Sequence, residues 1–312
     1  MSWKCYELKF RARSPIHIGY RKLGMINQTM YYIPGKTMWG AVTAILTRSI
    51  MEKYNAKDYE TMGEFIRKNL IFSYFYPALN SQVMYPRYDN EKGLSFGDIT
   101  KEEFENKFIS SYVSTAVDPA SRTAEDSSLH EFEYIKPDTE FVGYLFANDG
   151  NGIRFKNNSI LIDALDNDVK LNQSISLFDA IKQIQVGGER NYGFGWIELV
   201  CKESKNRSEV NLYDSNSNVK VNLNDNLTLK PTWEDTTLTA LAYMNQNINF
   251  ESINGDMEPF VGREWNEKGA GQKISNPIIC LTPGTKFKLK DGKHKIKIGH
   301  YGIWENVCNN CL

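Results

Sequence analysis

Residues 187 to 199 read Gly-Gly-Glu-Arg-Asn-Tyr-Gly-Phe-Gly-Trp-Ile-Glu-Leu, a glycine-rich turn that runs directly into a strand-like segment. Glycine accepts positive φ and lets another backbone approach, and unpaired N–H groups in such a turn form an anion-binding concavity. Arg190 would add charge and Tyr192 a stacking face. A hairpin with a bulge is the alternative. Neither a dinucleotide fingerprint nor a Walker loop is present, so we expect no nucleotide cofactor.

Length and charge limit the function classes. With 312 residues, the chain is long enough for two modules. No apolar run approaches the roughly 20 residues of a membrane helix, and the N-terminus lacks a signal-peptide pattern, so we expect a cytoplasmic protein without a membrane partner. The net charge of −1 argues against strong free-standing nucleic-acid binding. Any RNA contact must therefore be local or shared with partner subunits.

The cysteines do not form a disulfide framework. There are five in the chain, an odd number that favours reduced thiols. Cys308 and Cys311 form a terminal Cys-x-x-Cys pair that could be half of a zinc site, but no second pair has the right spacing. A frayed tail is the favoured interpretation, and we expect no metal.

The first 201 residues show a mixed pattern. Apolar periodicity predicts strands at residues 3–13, 70–76, 129–135, 140–147 and 187–200, and helices at 37–54, 59–69, 101–108 and 174–185. Thr37 is the expected N-cap of the first helix. The order β-α then β-β-α-β is that of a ferredoxin-like α+β fold, so we assign residues 1–201 to such a domain.

The remaining third is polar at first and then rich in strands. Residues 202–226 have the composition of a linker or surface excursion. We assign residues 227–312 to a smaller β-rich domain, with a strand predicted at 227–233 and a short helix at 236–245. The sequence of residues 280–287 is similar to that of residues 134–141, and the sequence of residues 301–305 is similar to that of residues 192–198. The common order indicates either a degenerate tandem repeat or shared hairpin chemistry. The alternating run 292–299 suggests an exposed strand edge, where lysines line an RNA path or block aggregation.

Four segments together form one pattern: Ser14–Gly19, Tyr32–Thr37 with Gly40 and Ala41, Ala116–Ile135, and the glycine loop. This pattern resembles the RAMP superfamily of CRISPR-associated proteins. Members of that superfamily have a Ser-Pro turn after the first strand and an Ile-Pro-Gly sequence that starts a helix. A Thr-x-x-Ala segment then precedes a hairpin, and a glycine loop follows. The resemblance covers roughly the first 200 residues.

The resemblance implies an RNA-recognition-like core that serves as a subunit of a type III CRISPR effector. The partners would be guide RNA, target RNA, other RAMP subunits and the large polymerase/cyclase-like subunit. A finger, residues 118–128, would project between stretches of guide–target duplex. The N-terminus of the first helix would form a phosphate-binding site. The expected RNA-binding residues are Gly187, Gly188, Arg190, Asn191, Tyr192, Gly193, Gly195, Lys36, Thr37, Arg21, Lys22 and Arg122.

One departure from the family concerns catalysis. Target-cutting members have an aspartate in the loop after the first strand, whereas residues 20–32 contain no carboxylate. We therefore expect a non-catalytic scaffold or capping subunit. The alternatives are a metal-dependent ribonuclease using Asp118, with His17 as a candidate general base, and a subunit that binds only protein. The Ile-His-Ile context favours a structural histidine. Arg263 and Trp265 fit a stacked base, a subunit interface or an internal contact.

Overall fold

The structure is a computed structural model. It describes residues 3–50, 54–89, 93–125, 128–150, 152–166, 169–205, 207–213, 219–231, 236–243, 250–266, 269–289 and 295–306. Cys308, Cys311, the finger residue Asp126 and the beginning of the run 292–299 lie outside these ranges.

Most of the chain is in strands, with few helices. The helices are α1 (Gly35–Ile50), α2 (Ala56–Asn69), α3 (Lys101–Phe108) and α4 (Leu177–Ala180). The strands of the first part are β1 (Trp3–Ala12), β2 (Gly19–Leu23), β3 (Ile26–Thr29), β4 (Leu70–Phe72), β5 (Tyr76–Leu79), β6 (Gln82–Val83), β7 (Pro86–Asp89), β8 (Gly93–Phe96), β9 (Ile99–Thr100), β10 (Ile109–Ser114), β11 (His130–Ile135), β12 (Glu140–Asn148), β13 (Ile153–Lys156), β14 (Ser159–Asp166), β15 (Val169–Ser176), β16 (Gln183–Gln185) and β17 (Trp196–Ser204). The later strands are β18 (Glu209–Asn211), β19 (Val219–Asn222), β20 (Thr228–Pro231), β21 (Thr236–Thr237), β22 (Ala242–Tyr243), β23 (Phe250–Asn254), β24 (Met257–Phe260), β25 (Arg263–Asn266), β26 (Gly269–Ile274), β27 (Ile278–Leu281), β28 (Lys286–Leu289), β29 (Ile296–Ile298) and β30 (Trp304–Asn306).

A central antiparallel sheet organises the molecule. Its strands run in the order β16-β17-β1-β12-β5-β6, and β4 pairs with β12 beside β5. The alternation in β1 sends Tyr6, Leu8, Phe10 and Ala12 into one core. Cys5 enters the core on the opposite face. The central strand therefore has a core on each side, which only a covered sheet allows.

Helices α1 and α2 cover one face of this sheet. The Trp39 indole Nε1 donates a hydrogen bond of 2.9 Å to the carbonyl oxygen of Gly63, and a Cβ at Gly63 would lie 2.9 Å from the same indole. The missing side chain thus lets the two helices approach. Asn55 and Asp58 form a capping box that starts α2, since each accepts from the backbone of the other.

The opposite face packs against an eight-stranded sheet in the order β18-β19-β20-β29-β30-β22-β27-β24. One hydrophobic core contains residues of both, including Phe146 and Trp304. The Tyr76 hydroxyl also donates to the carbonyl oxygen of Thr239 at 2.8 Å. Residues 202–226 contribute β18 and β19, where Val210 and Val221 are buried. The proposed boundaries at 201 and 226, and the degenerate repeat, stay predictions.

Several predicted elements are confirmed with small shifts of their ends. The strand predicted at 3–13 is β1, the helix at 101–108 is α3, and the strands at 129–135 and 140–147 are β11 and β12. These two strands follow one another but do not pair with each other, since β11 pairs with β10 and β3 whereas β12 pairs with β1, β4 and β5. The first two helices are also found, although they begin at Gly35 and Ala56. Thr37 therefore lies in the first turn of α1, and its prediction as N-cap is wrong.

Three predictions at short apolar segments are wrong. Residues 174–185 form the end of β15, the single turn α4 and β16, because Ile184 pairs with Ile197 across the sheet. Residues 236–243 form β21 and β22, where β-branched Thr236 pairs with Phe287. The described part of the run 292–299 is not an edge, since β29 lies between β20 and β30. None of the helices in the ranges above is long and apolar enough to cross a membrane.

Candidate nucleic-acid interface

The glycine loop folds onto the turn that follows β1. The backbone N–H of Gly188 donates to the carbonyl oxygen of His17 at 2.9 Å, and that of Gly195 donates to Pro15 at 2.7 Å. Gly187 and Gly195 have φ of +75° and +91°, and a Cβ at either would lie 2.2 Å or less from a carbonyl oxygen. Both positions thus need glycine for conformation and for close approach.

His17 belongs to the turn after β1 on which the glycine loop packs. Its side chain is 6% exposed, and Nδ1 is 2.7 Å from the carbonyl oxygen of Glu133. The ring also packs edge-on against Phe132 at 5.4 Å. These contacts hold the turn against β11, beneath the glycine loop, and they favour a structural role for this histidine.

The tip of the glycine loop is a single 3-10 turn, Arg190–Tyr192. Tyr192 is 75% exposed, so its ring is accessible for stacking. The Arg190 side chain folds back, and its Nε donates to the carbonyl oxygen of Gly187 at 3.0 Å. Partial burial of the guanidinium, together with the positive charge of Arg48, lowers the pKa of Arg190. Arg190 and Arg48 line the same cavity, so two cations lie close together there.

The start of α1 lies where two other backbones converge. A Cβ at Gly35 would lie 2.3 Å from the carbonyl oxygen of Phe72 and 2.4 Å from that of Tyr301. Gly302, with φ +73°, approaches the same Phe72 oxygen. The Ile-Pro-Gly sequence thus places the first turn of α1 between the central sheet and the C-terminal 3-10 turn.

Lys36 follows Gly35 and is held between aromatic rings. Its Nζ lies 4.9 Å from the ring centre of Phe260 and 5.5 Å from that of Tyr301. A Cβ at Gly262 would lie 2.2 Å from this ammonium nitrogen. Burial lowers the pKa of Lys36. The residue is therefore a partly desolvated cation at the contact between the two halves of the chain.

Two adjoining cavities meet at Lys36, and we call them together the basic groove. The first, of about 520 Å³, lies between the start of α1 and β24. The second, of about 760 Å³, lies between α1, α2, the glycine loop and the hairpin β25–β26. Their basic lining residues are Arg21, Lys36, Arg48, Arg67, Arg190, Arg263 and Lys273.

Four carboxylates line the same two cavities, so the lining has seven basic and four acidic residues and is basic on balance; the acidic residues are Glu60, Glu64, Glu258 and Glu264. Arg67 pairs with Glu64, and Lys273 pairs with Glu264. Within the described ranges, no carboxylate forms an ion pair with Lys36, Arg48, Arg190 or Arg263. Arg263 instead donates from Nη1 to the carbonyl oxygen of Gly271 at 3.2 Å. Cations gathered in a concave surface raise the local concentration of anions. A phosphate backbone is the polymer that such a groove fits.

The structure brings some of the sequence-predicted residues together and separates others. Arg21, Lys36, Thr37 and Arg190 line the basic groove. Asn191 and Gly193 are exposed on the loop tip and line neither cavity, and Lys22 is exposed on β2. Tyr192 lines a separate small cavity against the hairpin β10–β11. The residues that sequence reasoning did not assign to RNA are Arg48, Arg67 and Lys273. In the sequence these residues are recognisable only as basic, and basic residues are equally common on solvent-exposed faces of helices and hairpins.

The finger is the tip of the hairpin β10–β11. Asp118 closes its turn by accepting from the Ala120 backbone at 2.9 Å and the Ser121 hydroxyl at 2.7 Å. The Ser121 hydrogen bond is the main cause of a lowered pKa at Asp118. Arg122 is exposed with φ +54°. Among the residues that the structure describes, no three His, Cys, Asp or Glu side chains are grouped as metal ligands would be.

Comparison with known proteins adds the family. The family model of the RAMP superfamily matches residues 9–198, which include the glycine loop and the start of α1. The chain belongs to the RAMP superfamily. No match was found among curated protein sequences.

Solved structures show the same overall fold as this RAMP protein. A chain in the cryo-EM structure of the type III-B Cmr-beta complex bound to cognate target RNA and AMPPnP has a TM-score of 0.52 at 11% identity, covering 90% of this chain and 86% of its own. The complex bound to cognate target RNA alone gives the same values. The similarity extends beyond the family match into the C-terminal part.

Proposed function

We propose that this RAMP protein is an RNA-binding scaffold or capping subunit of a type III CRISPR ribonucleoprotein. It holds guide RNA and contacts the guide–target duplex, without cleaving it. Its partners are guide RNA, target RNA, other RAMP subunits and the large polymerase/cyclase-like subunit. The proposal takes the core as ferredoxin-like, and the strand order β17-β1-β12-β4 with helices over one face supports this.

The observation that carries the proposal is the convergence of cations in the basic groove. Lys36 and Arg48 come from α1, Arg190 from the glycine loop and Arg263 from the C-terminal hairpin. The net charge of the chain is −1, so a local concentration of unpaired cations stands out against the rest of the surface. The guide backbone passes through this groove, and Tyr192 stacks on a base at its edge.

The salt dependence of guide binding tests the proposal. Each phosphate contact contributes about 0.7 to 0.9 to the slope of log K against log salt. Arg190→Glu should lower the slope by about one and weaken binding roughly tenfold at moderate salt. Arg207→Glu is the control, because Arg207 is an exposed arginine outside both cavities. Equal slopes for wild type and Arg190→Glu would remove the glycine loop from the RNA path and favour a protein-only subunit.

A further inference from the structure

Glu258 is a largely buried residue whose carboxylate has no hydrogen-bonding partner among the residues that the structure describes. It lies on β24, is 8% exposed, and forms no hydrogen bond or ion pair through its side chain with any described residue. Burial raises the pKa of Glu258, and the positive charge of Arg21 opposes that shift. The Glu258 oxygens are not among the fully buried unsatisfied atoms, so they face the cavities that the residue lines. A ligand in such a cavity can donate hydrogen bonds to this partly desolvated carboxylate in place of water.

The surroundings of Glu258 show what such a ligand must look like. Glu258 lines the first cavity of the basic groove and a neighbouring cavity of about 310 Å³. Tyr20, Tyr32 and Phe260 line the first cavity with it. Flat aromatic side chains in such a position bind flat ligands, and base–aromatic stacking contributes about 1 to 3 kcal/mol.

Two cations flank the same rings. The Arg21 guanidinium carbon lies 4.7 Å from the ring centre of Tyr20, and the Lys36 ammonium lies 4.9 Å from that of Phe260. A phosphate fits beside these cations but is repelled by Glu258. The carboxylate therefore faces the uncharged, donor-bearing part of a nucleotide while the cations face its phosphates.

The two oxygens of a carboxylate can accept from two parallel N–H donors at once. Among the four RNA bases, guanine presents this arrangement, through N1–H and the N2 amino group on its Watson–Crick edge. We propose that the first cavity binds an unpaired guanine base of the RNA, with Glu258 accepting from N1–H and N2–H. This inference rests on the proposed RNA-binding function and adds base selectivity to it.

An arginine of a partner subunit also carries two parallel donors, but it fits this cavity less well. Arg21 and Lys36 already line the space, and a third cation would be repelled by both. Guanine is neutral and stacks on the tyrosine rings. The residues that line the first cavity therefore favour a nucleobase as its ligand.

The test uses the full chain and oligouridylate RNAs that carry one central guanosine, inosine, adenosine or cytidine, measured by fluorescence anisotropy. Wild type should bind the guanosine RNA on the order of tenfold more tightly than the inosine RNA, which lacks the N2 amino group. Glu258→Gln should abolish this difference. Glu251→Gln is the matched control, because Glu251 is an exposed glutamate on β23 that pairs with Lys288 and lines none of these cavities. It should keep the guanosine preference.

The outcomes separate the two proposals. Equal affinity of wild type for all the RNAs, or a preference that survives in Glu258→Gln, overturns the guanine site; the RNA scaffold stands if Arg190→Glu still weakens binding. No binding to any RNA contradicts both. Should Glu258→Gln fail to fold, Tyr20→Ala serves instead, since Tyr20 is 42% exposed. It should reduce the preference for guanosine, and an unchanged preference would overturn the inference.

Discussion

Gly187 and His17 are in direct backbone contact, so that a Cβ on the glycine would lie 2.2 Å from the histidine carbonyl oxygen. The contact joins the glycine loop to the turn that ends β1, two segments distant in sequence. It fixes where Arg190 stands relative to α1. The geometry of the basic groove therefore depends on a position that only glycine can occupy.

Gly187→Ala should destabilise the protein by roughly 2 to 3 kcal/mol, because the new methyl group meets both a left-handed φ and a carbonyl oxygen. Chemical denaturation measures this. Gly193→Ala is the matched control in the same loop, since Gly193 also has positive φ, +83°, but open space around it. Its cost should be about 1 kcal/mol. Equal costs for the two variants would contradict the contact with His17.

Lys36→Met should raise the melting temperature at neutral pH and weaken RNA binding. Burial lowers the pKa of Lys36, so its ionised form costs the folded state stability, and this cost grows as the pH falls through the folded pKa. Methionine keeps the length of the side chain between Phe260 and Tyr301 without the charge. Thermal unfolding measures the change in melting temperature, and RNA titration measures the change in affinity. An unchanged RNA affinity would exclude a phosphate contact at Lys36.

Glu258→Gln should stabilise the free protein at about pH 8, by roughly 1 kcal/mol, and have no such effect near pH 4. Burial raises the folded pKa of Glu258 above its unfolded value, so the stability it contributes is present at low pH and is lost as the pH rises through the folded pKa. Arg21 and Asp256 are the charges that act on this group. Melting temperatures across pH check the prediction, and a gain that is independent of pH would contradict it.

Asp118→Ala should leave target RNA intact, as in wild type, when the assembled particle is incubated with complementary RNA and magnesium. Both Asp118 oxygens already accept hydrogen bonds within the finger turn. Gel electrophoresis of labelled target detects any cut. Cleavage by wild type that disappears only in the Asp118→Ala particle would establish the ribonuclease alternative and overturn the scaffold.

The sequence was most informative where the backbone itself is constrained. Gly35 and Gly187 stand at close approaches, and the motifs around them predicted the start of α1 and the glycine loop to within a few residues. Such positions are recognisable because no other residue satisfies them. The short helix α3 was predictable for a similar local reason, since Thr100 and Glu103 form its capping box.

The groove itself could not be predicted. It exists because the C-terminal strands fold back on the central sheet and place Arg263 and Glu258 beside α1. Those contacts join residues far apart in the chain, and no periodicity encodes them. The helices predicted at 174–185 and 236–245 are wrong for a related reason. Strand pairing decided the conformation of residues 174–185 and of the described residues 236–243 against a helical spacing of apolar residues.

Photo-crosslinking of guide RNA within the assembled particle tests the central claim most directly. With thiouridine placed along the guide, peptides identified by mass spectrometry should include the glycine-loop segment with Arg190 and Tyr192 and the start of α1 with Lys36. Arg190→Glu should reduce both crosslinks, while Arg207→Glu should leave them unchanged. Crosslinks confined to surfaces outside the basic groove, or absent from this subunit, would contradict the account.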